Sequence, residues 1–234
     1  MDKGKMATED IGGKATARHM VATLPFWDVL TPGEKQLVSE RASLRRFSPN
    51  QVIGSSDSSC TGVVFVMSGC IRVSLLSEEG REVTLFRVAK NECCVTTASC
   101  AIKQITFDTC VSALESSVLL VVPSAVCDCL SRQNIYFRSF MLEIEVQRYS
   151  QVVQVMQQML FKRLDQRLAI RLVELCDAEG KRQLGVTQEG LARDINSARE
   201  AVTRALHRLS QEGLVAVRRG NIEILDLERL RTLC

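Results

Sequence analysis

The chain has 234 residues, of which 46% are hydrophobic and 24% charged, as expected for a globular protein with one or two cores. It contains no run of 18 apolar residues, and its first 20 residues lack the apolar segment of a signal peptide, so we expect a cytoplasmic protein without membrane contact. The net charge of +3 lies in residues 162–234, which hold 14 Lys and Arg against 11 Asp and Glu. This bias favours a nucleic-acid partner.

The first half of the chain predicts a small β domain. We expect a mobile tail over residues 1–20 and a short helix over residues 32–44, which begins at Pro32. From about residue 45 to residue 122, short runs rich in Val, Ile, Thr and Phe predict strands of an antiparallel barrel or jelly roll. The phrase "LLSEEGREVTLF" predicts a hairpin with Gly80 in its turn.

Beyond Pro123 the pattern becomes helical, with a short helix "SAVCDCLSRQ" and a long one over about residues 135–163. About 29 residues give a helix over 40 Å long, which exceeds the needs of a small domain. We predict that one flank packs on the β domain and another on a second copy of the chain. The residues expected at this dimer interface are Ile144, Val152, Val155, Met156 and Met159. A further helix over residues 164–177 follows, with Asp165 as a candidate cap.

The last third predicts two short helices, a hairpin and a final helix. Thr187 is the expected N-cap of the first helix, and the second begins near Ala198 after a tight "INSA" turn. The second helix should bury Val202, Ala205, Leu206 and Leu209. Its outward residues, together with the first helix and the hairpin tip, give the candidate DNA contacts Thr187, Gln188, Arg199, Glu200, Thr203, Arg204, Arg218 and Arg219.

The chemistry of these residues suits DNA recognition. In the major groove, Arg pairs bidentately with guanine and Glu accepts from cytosine N4, while arginines at a hairpin tip reach phosphates. The alternative is a helical domain whose charged face is only solvated. A tight helix pair followed by a basic-tipped hairpin favours a winged helix-turn-helix.

The order of these segments resembles the CRP/FNR family of bacterial transcription regulators from about residue 24 onward. The similar phrases are "VMSGCIRVSLLSEEGREVTLF", with Gly69 and Gly80 at turns, "RLDQRLAIRLVEL" and "SAREAVTRALHRL". The resemblance implies an α+β fold: a cyclic-nucleotide-binding-like barrel over residues 21–132, a dimerisation helix over 133–163 and a winged helix-turn-helix over 164–234.

The resemblance also implies a function. Asp165 falls at the family's hinge, and Arg199, Glu200 and Arg204 match the residues that recognise a TGTGA-type half-site. We therefore expect a homodimer on a palindromic operator in double-stranded DNA, acting with RNA polymerase. A constitutive DNA binder, whose barrel only dimerises, is an alternative. An enzyme or small-molecule carrier is disfavoured because no catalytic constellation is evident and the chain has two histidines.

The effector region of the family corresponds to "NECCVTTASC" and the "KQITF" that follows. The Arg-Ser pair of cyclic-nucleotide-binding members is missing and Lys103 is the only nearby cation, so we do not expect cyclic AMP. The sensor candidates are Cys93, Cys94, Cys100 and Cys110.

Three cysteine chemistries remain open at this point. The haem-containing carbon monoxide sensor of the family suggests an axial thiolate at Cys94, with Cys100 following, although its exchangeable histidine is replaced by Thr96. An iron–sulfur cluster would lack the N-terminal cysteines that the family uses, since residues 1–59 contain none. A thiol switch needs no cofactor. The remaining cysteines are expected to be small buried side chains: Cys60, Cys70, Cys127, Cys129, Cys176 and Cys234.

Overall fold

The computed structural model describes residues 9–10, 14–55, 62–77, 82–95 and 109–234. The chain divides into two compact units, one of residues 1–81 and 85–152 and the other of residues 82–84 and 153–234. Within the described ranges, no helix is long and apolar enough to cross a membrane.

The first unit contains two antiparallel sheets and most of the helices that precede and follow them. Its elements are β1 (Glu9–Asp10), α1 (Lys14–Val21), a 3₁₀ turn (Trp27–Val29), α2 (Pro32–Arg41), β2 (Ser43–Phe47), β3 (Val52–Ser55), β4 (Val63–Ser68), β5 (Ile71–Leu76), most of β6 (Glu82–Val88), β7 (Cys93–Cys94), β8 (Thr109–Ala113), β9 (Ser117–Val122), α3 (Ser124–Gln133) and the part of α4 (Ile135–Phe161) up to residue 152. The strand orders are β1-β2-β9-β4-β7 and β3-β8-β5-β6. In this part of the chain neither sheet closes on itself, so the architecture is the two-sheet jelly-roll form of the predicted fold rather than a closed barrel.

Alternating residues of the five-stranded sheet pack into two different cores, because successive side chains of a strand point to opposite faces. In β4, Val64 and Val66 pack between the two sheets. Val63 and Phe65 face the other way, into a cluster with helices α1 to α4. In that cluster Phe26 lies 5.7 Å from Phe65 in centroid separation, and it contacts the rings of two phenylalanines of α4 as well. The sheet is therefore covered by helices on one side and by the second sheet on the other.

Two sequence-based boundaries in this unit are corrected. Glu9–Asp10 pairs with β2, and Ala17 of α1 is buried, so the tail expected over residues 1–20 is wrong for these segments. Helix α2 ends at Arg41 rather than residue 44, and Leu44 lies in β2. The predicted hairpin strands are confirmed as neighbours β5 and β6, whereas Gly80 lies outside the described residues. Gly69 is confirmed at a turn that requires positive φ, at +84°.

The second unit is a winged helix-turn-helix. After the last part of α4, it contains α5 (Leu164–Glu179), β10 (Gln183–Leu184), α6 (Gln188–Asp194), α7 (Arg199–Gln211), β11 (Val215–Arg218), β12 (Asn221–Ile224) and α8 (Leu227–Thr232), with a sheet in the order β10-β12-β11. The four apolar residues predicted for the inner face of α7 are all buried: Val202, Ala205, Leu206 and Leu209. They pack against apolar residues of α5, α6 and the small sheet, which fixes the opposite face of α7 toward solvent.

Candidate nucleic-acid interface

Helix α6 begins as its sequence predicts. The Thr187 hydroxyl accepts a 3.0 Å hydrogen bond from the Gly190 amide, which satisfies one of the donors left open at a helix start. Leu191 and Ala192 are buried, so the N-terminal turn of α6 presents Gln188 and Thr187 on its other side. The prediction of Thr187 as N-cap is confirmed.

The turn after α6 determines where α7 starts. Ile195 ends the helix, Asn196 adopts a positive φ of 53°, and the Ser197 amide donates to the Ala192 carbonyl at 2.9 Å. This is the hydrogen-bond pattern of a Schellman motif, here with Asn instead of the usual Gly in the left-handed position. It closes α6 within a few residues and allows α7 to begin at Arg199.

The exposed face of α7 carries the predicted polar residues. Arg199, Glu200, Thr203 and Arg204 are all exposed. The Thr203 hydroxyl lies 2.7 Å from the oxygen of the Gln188 side-chain amide and 2.9 Å from the Arg199 carbonyl, and it can donate to either. This bridge joins the N-terminal turns of the two helices, so their polar side chains form one surface rather than two.

The hairpin of β11 and β12 extends that surface. A groove of about 380 Å³ lies between the hairpin tip and the starts of α6 and α7; its polar lining consists of Thr187, Gln188, Glu189, Arg199, Arg218 and Arg219. Gly220, at φ +73°, makes the tight tip turn that presents the two hairpin arginines. Five predicted contacts thus meet at one groove, while Glu200 and Arg204 lie exposed on α7 outside its lining. Glu189 was not predicted, although its place in the first turn of α6 could have indicated it.

The junction between α4 and α5 contains the predicted hinge. Helix α4 ends at Phe161 and α5 begins at Leu164, leaving two non-helical residues between them. Asp165 is not the cap of α5, which is a correction: the N-cap is Arg163, whose amide donates to the Gln166 side chain at 3.0 Å. Asp165 instead accepts from the Arg208 guanidinium of α7. Its carboxylate thereby connects the helix after the junction to the recognition helix.

Two residues of α4 that were predicted at the dimer interface pack against their own chain. Ile144 packs against the helix-covered cluster of the five-stranded sheet, and Val152 packs against the cluster between the sheets, so both side chains face their own chain. Both are only half-buried there, so their assignment to a dimer interface stays a prediction. Met156 and Met159 are exposed, and Val155 is half-buried.

Of the predicted sensor cysteines, Cys93 and Cys94 form β7, and Cys110 lies in β8. Cys93 and Cys94 are adjacent strand residues and are 2% and 0% exposed, with Cys93 in the helix-covered cluster and Cys94 between the sheets. Their sulfurs therefore point to opposite faces and do not converge on one ligand. Burial raises the pKa of the Cys93 thiol to about 12, so it stays protonated at neutral pH.

The other cysteines are mostly shielded. Cys110 is half-buried, and Cys100 and Cys60 lie outside the described residues. Across the part of the chain that the structure describes, no group of three potential metal-binding side chains occurs. Cys127 and Cys176 are buried as expected, Cys70 and Cys129 are half-buried, and Cys234 is exposed.

A residue without a predicted role connects α4 to β7. Arg148 is 5% exposed, and its guanidinium donates to the Cys93 carbonyl at 2.9 Å and to the Gln151 side chain at 2.9 Å. The Glu92 carboxylate lies 3.4 Å away, and the guanidinium sits 5.1 Å from the centre of the Phe86 ring. The only sequence signal was a charged residue that interrupts the apolar pattern of the long helix.

The comparisons with known proteins agree with this arrangement. A family model described as a Crp-like helix-turn-helix domain matches residues 166–233, and one described as a cyclic nucleotide-binding domain matches residues 44–134. Transcriptional regulator SdrP of Thermus thermophilus is 37% identical over 78 residues, which are 31% of this chain and 39% of that relative's length.

Solved structures extend the similarity over most of the chain. A protein of Eubacterium rectale, assigned as a transcriptional regulator of the CRP/FNR family, is 33% identical, with a TM-score of 0.84 over 89% of this chain and 97% of its own. A CRP/FNR-family transcriptional regulator of Thermus thermophilus is 25% identical, with a TM-score of 0.63 over 81% of this chain and 97% of its own. Family models, identity and fold agree, and the chain belongs to the CRP/FNR family of transcriptional regulators, which are not enzymes.

Proposed function

We propose that the chain is a homodimeric, sequence-specific DNA-binding regulator that recognises a palindrome with TGTGA-like arms. The observation that carries the proposal is the single exposed surface formed by α6, α7 and the hairpin, with Arg199 and the two hairpin arginines around one groove. This surface offers the helix face and the cations that a major groove and its flanking phosphates require.

The side chains divide into two roles. Arg199, Glu200 and Arg204 project from the first two turns of α7, where a recognition helix meets base edges, so they are proposed to choose the sequence. Arg218 and Arg219 are exposed at the hairpin tip and are proposed to contact phosphates. The 2.7 Å hydrogen bond between the Thr203 hydroxyl and the Gln188 side-chain oxygen connects α6 and α7. Both residues present their polar atoms at the same surface.

The dimer contact is proposed to follow a heptad seam along α4. Its residues are spaced by alternating steps of four and three: Leu142, Val146, Tyr149, Val153, Met156 and Leu160. All but Val153 are among the exposed large apolar residues, with Tyr149 and Leu160 each 70% exposed. A surface of this kind on a 27-residue helix is typical of a two-stranded coiled coil.

The charges beside the seam favour a parallel pair. In a parallel coiled coil, a residue flanking the seam meets the partner residue five positions further on. Arg138 and Glu143 have this spacing and are both exposed. Parallel pairing also puts both C-terminal winged helix-turn-helix units at the same end of the coiled coil, where they can reach the two half-sites of one palindrome.

An effector acting on the first unit is part of the proposal, and cyclic AMP is not proposed as that effector. Burial of Cys93 and Cys94 on opposite faces makes neither thiol accessible, which weakens a direct thiol switch or a shared cluster at this pair. A haem or another ligand would have to use residues beyond these two. A constitutive DNA binder is the alternative; a change in DNA binding between the reduced and the oxidised protein would exclude it.

The test is selection of binding sites from random duplex DNA, followed by affinity measurements on the selected site. We expect a palindrome with TGTGA-like arms. Arg204→Ala should weaken binding to it by about 1–3 kcal/mol and relax the preference at one base pair. Arg132→Ala, which removes an exposed arginine of α3, is the matched control and should change nothing. Equal loss on all duplexes would refute base recognition by Arg204.

A further inference from the structure

Helix α5 is joined to the recognition element at three points. Arg167 Nη1 donates to the Ile195 carbonyl at 2.9 Å, and Arg171 Nε donates to the Asp194 carboxylate at 2.8 Å. Asp165 accepts from Arg208 of α7. All three α5 residues lie within its first two turns, on the side that follows the α4–α5 junction.

The first two contacts hold the C-terminal end of α6. The Ile195 carbonyl is one of the acceptors that a helix end leaves open, and a guanidinium there is favourable with the helix dipole. An aspartate at position 194 is unfavourable with that dipole, so its presence needs a partner. Arg171 supplies that partner in a shielded pair, in which the two side chains are 20% and 14% exposed.

The segment held in this way is the turn that sets the direction of α7. Asn196 and Ser197 close the turn through the 2.9 Å bond from the Ser197 amide to the Ala192 carbonyl, and α7 begins two residues later. A shift of Asp194 or Ile195 therefore shifts the first turn of α7. The outward residues of that turn are Arg199 and Glu200.

The third contact holds the other end of α7. Arg208 lies nine residues after Arg199, or about two and a half turns along the helix. Its pair with Asp165 is about half exposed on both sides and is weak as a stabilising contact. It is a second contact between α5 and α7, distant from the turn at the N-terminus of α7.

We propose that Arg167 and Arg171 are positioning residues for base recognition. They do not touch DNA; they fix the angle at which Arg199, Glu200 and Arg204 enter the major groove. The inference rests on the proposed function, sequence-specific DNA binding. The proposal adds that sequence specificity depends on contacts made by α5. A movement at residues 162–163 is then transmitted to the recognition helix through Arg167 and Arg171.

The experiment compares the full chain with Arg167→Met and Arg171→Met on the selected site and on a scrambled duplex, over a series of salt concentrations. Each variant should bind the selected site about ten-fold more weakly and the scrambled duplex less than about two-fold more weakly, with an unchanged salt slope. Arg231→Met is the matched control. Arg231 of α8 pairs with Asp177 of α5 at 2.7 Å, so this pair joins α5 to α8 and not to the recognition element. Discrimination between the two duplexes should therefore be unchanged.

A second comparison separates positioning from folding. Asp194→Asn keeps the shape of the side chain and removes its ion pair with Arg171, while Arg171 keeps its 3.2 Å pair with Glu174. It should reduce discrimination as Arg171→Met does. Combined with Arg204→Ala, Arg171→Met should lose less than the sum of the two single losses, because part of its effect passes through Arg204 and the rest through Arg199 and Glu200.

Three results would overturn the inference. An equal loss on both duplexes would indicate a merely structural role, and a salt slope lower by about one would indicate a direct phosphate contact. Full additivity with Arg204→Ala would show that the two arginines do not position Arg204, contrary to the proposal. If the unchanged chain itself fails to distinguish the two duplexes, the proposed function falls as well, which is a separate observation.

Discussion

Asn134 holds the start of the long helix, and its replacement by alanine tests the structure sharply. Asn134 is 8% exposed. Its carbonyl accepts from the Tyr136 and Phe137 amides at 3.0 and 3.1 Å, which caps α4. Its amide donates to the Val29 carbonyl and the Glu34 carboxylate, both at 3.0 Å.

The cost of Asn134→Ala follows from these bonds. Loss of a helix cap costs about 1 kcal/mol, and the Val29 carbonyl and the Glu34 carboxylate would each lose a partner at about 1 kcal/mol. We expect the free energy of unfolding of the first unit to fall by about 3 kcal/mol. For a unit of this size, the melting temperature should fall by about 6–12 °C.

Thermal and urea unfolding followed by circular dichroism measures this loss, with Gln133→Ala, at the exposed end of α3, as the neighbouring control. A second readout is the Glu34 carboxyl. Burial raises the pKa of Glu34, but hydrogen bonds from Thr31 and Asn134 outweigh it and leave that pKa below its usual range. In the variant the pKa should move up, as observed by NMR titration. A loss under about 1 kcal/mol with an unchanged Glu34 pKa would refute the reasoning.

Three further predictions concern the seam, the thiols and one glycine. Val146→Glu places a charge on the seam and should weaken the dimer by at least about 100-fold in sedimentation, whereas Gln147→Glu, one residue away, should not. The pKa of Cys93 and of Cys127 is raised to about 12 by burial, so the folded state keeps two protons that the unfolded state loses above about pH 9. Stability should be complete below about pH 9 and should fall toward about pH 12 by about 1.4 kcal/mol per pH unit for each thiol; urea midpoints that stay flat up to about pH 10.5 would contradict this. Gly69→Ala would place a Cβ 2.7 Å from the Ser116 carbonyl at a φ of +84°. It should cost about 2 kcal/mol or more in the same unfolding assay.

The parts that the sequence predicted well are those governed by local rules. The buried face of α7 was predicted residue by residue, because its apolar residues repeat at the helical period and the polar ones lie opposite. The N-cap at Thr187 was predictable for a similar reason, since its side chain needs only the amide three residues later. The hairpin arginines followed from strand alternation around a glycine turn.

The faces of α4 show where local rules end. Both flanks of this helix are apolar, so periodicity identifies apolar positions without assigning each flank to a partner. Ile144 and Val152 face the sheets because β4 and its neighbours lie there, and the exposed seam with Tyr149 at its centre is the flank that remains. The four-and-three spacing was present in the sequence, but it gains meaning only when the other flank is known to be covered.

The sequence by itself determined the family, the helix-turn-helix and its exposed polar face, because these depend on residue type and short-range periodicity. Only the tertiary structure decided the partners of Arg148, Arg167, Arg171 and Asn134, since each bonds to atoms brought near by folding of distant segments. It also separated Cys93 from Cys94, which look like a pair in the sequence. On a strand, adjacent side chains point to opposite faces, and here those faces belong to two different cores.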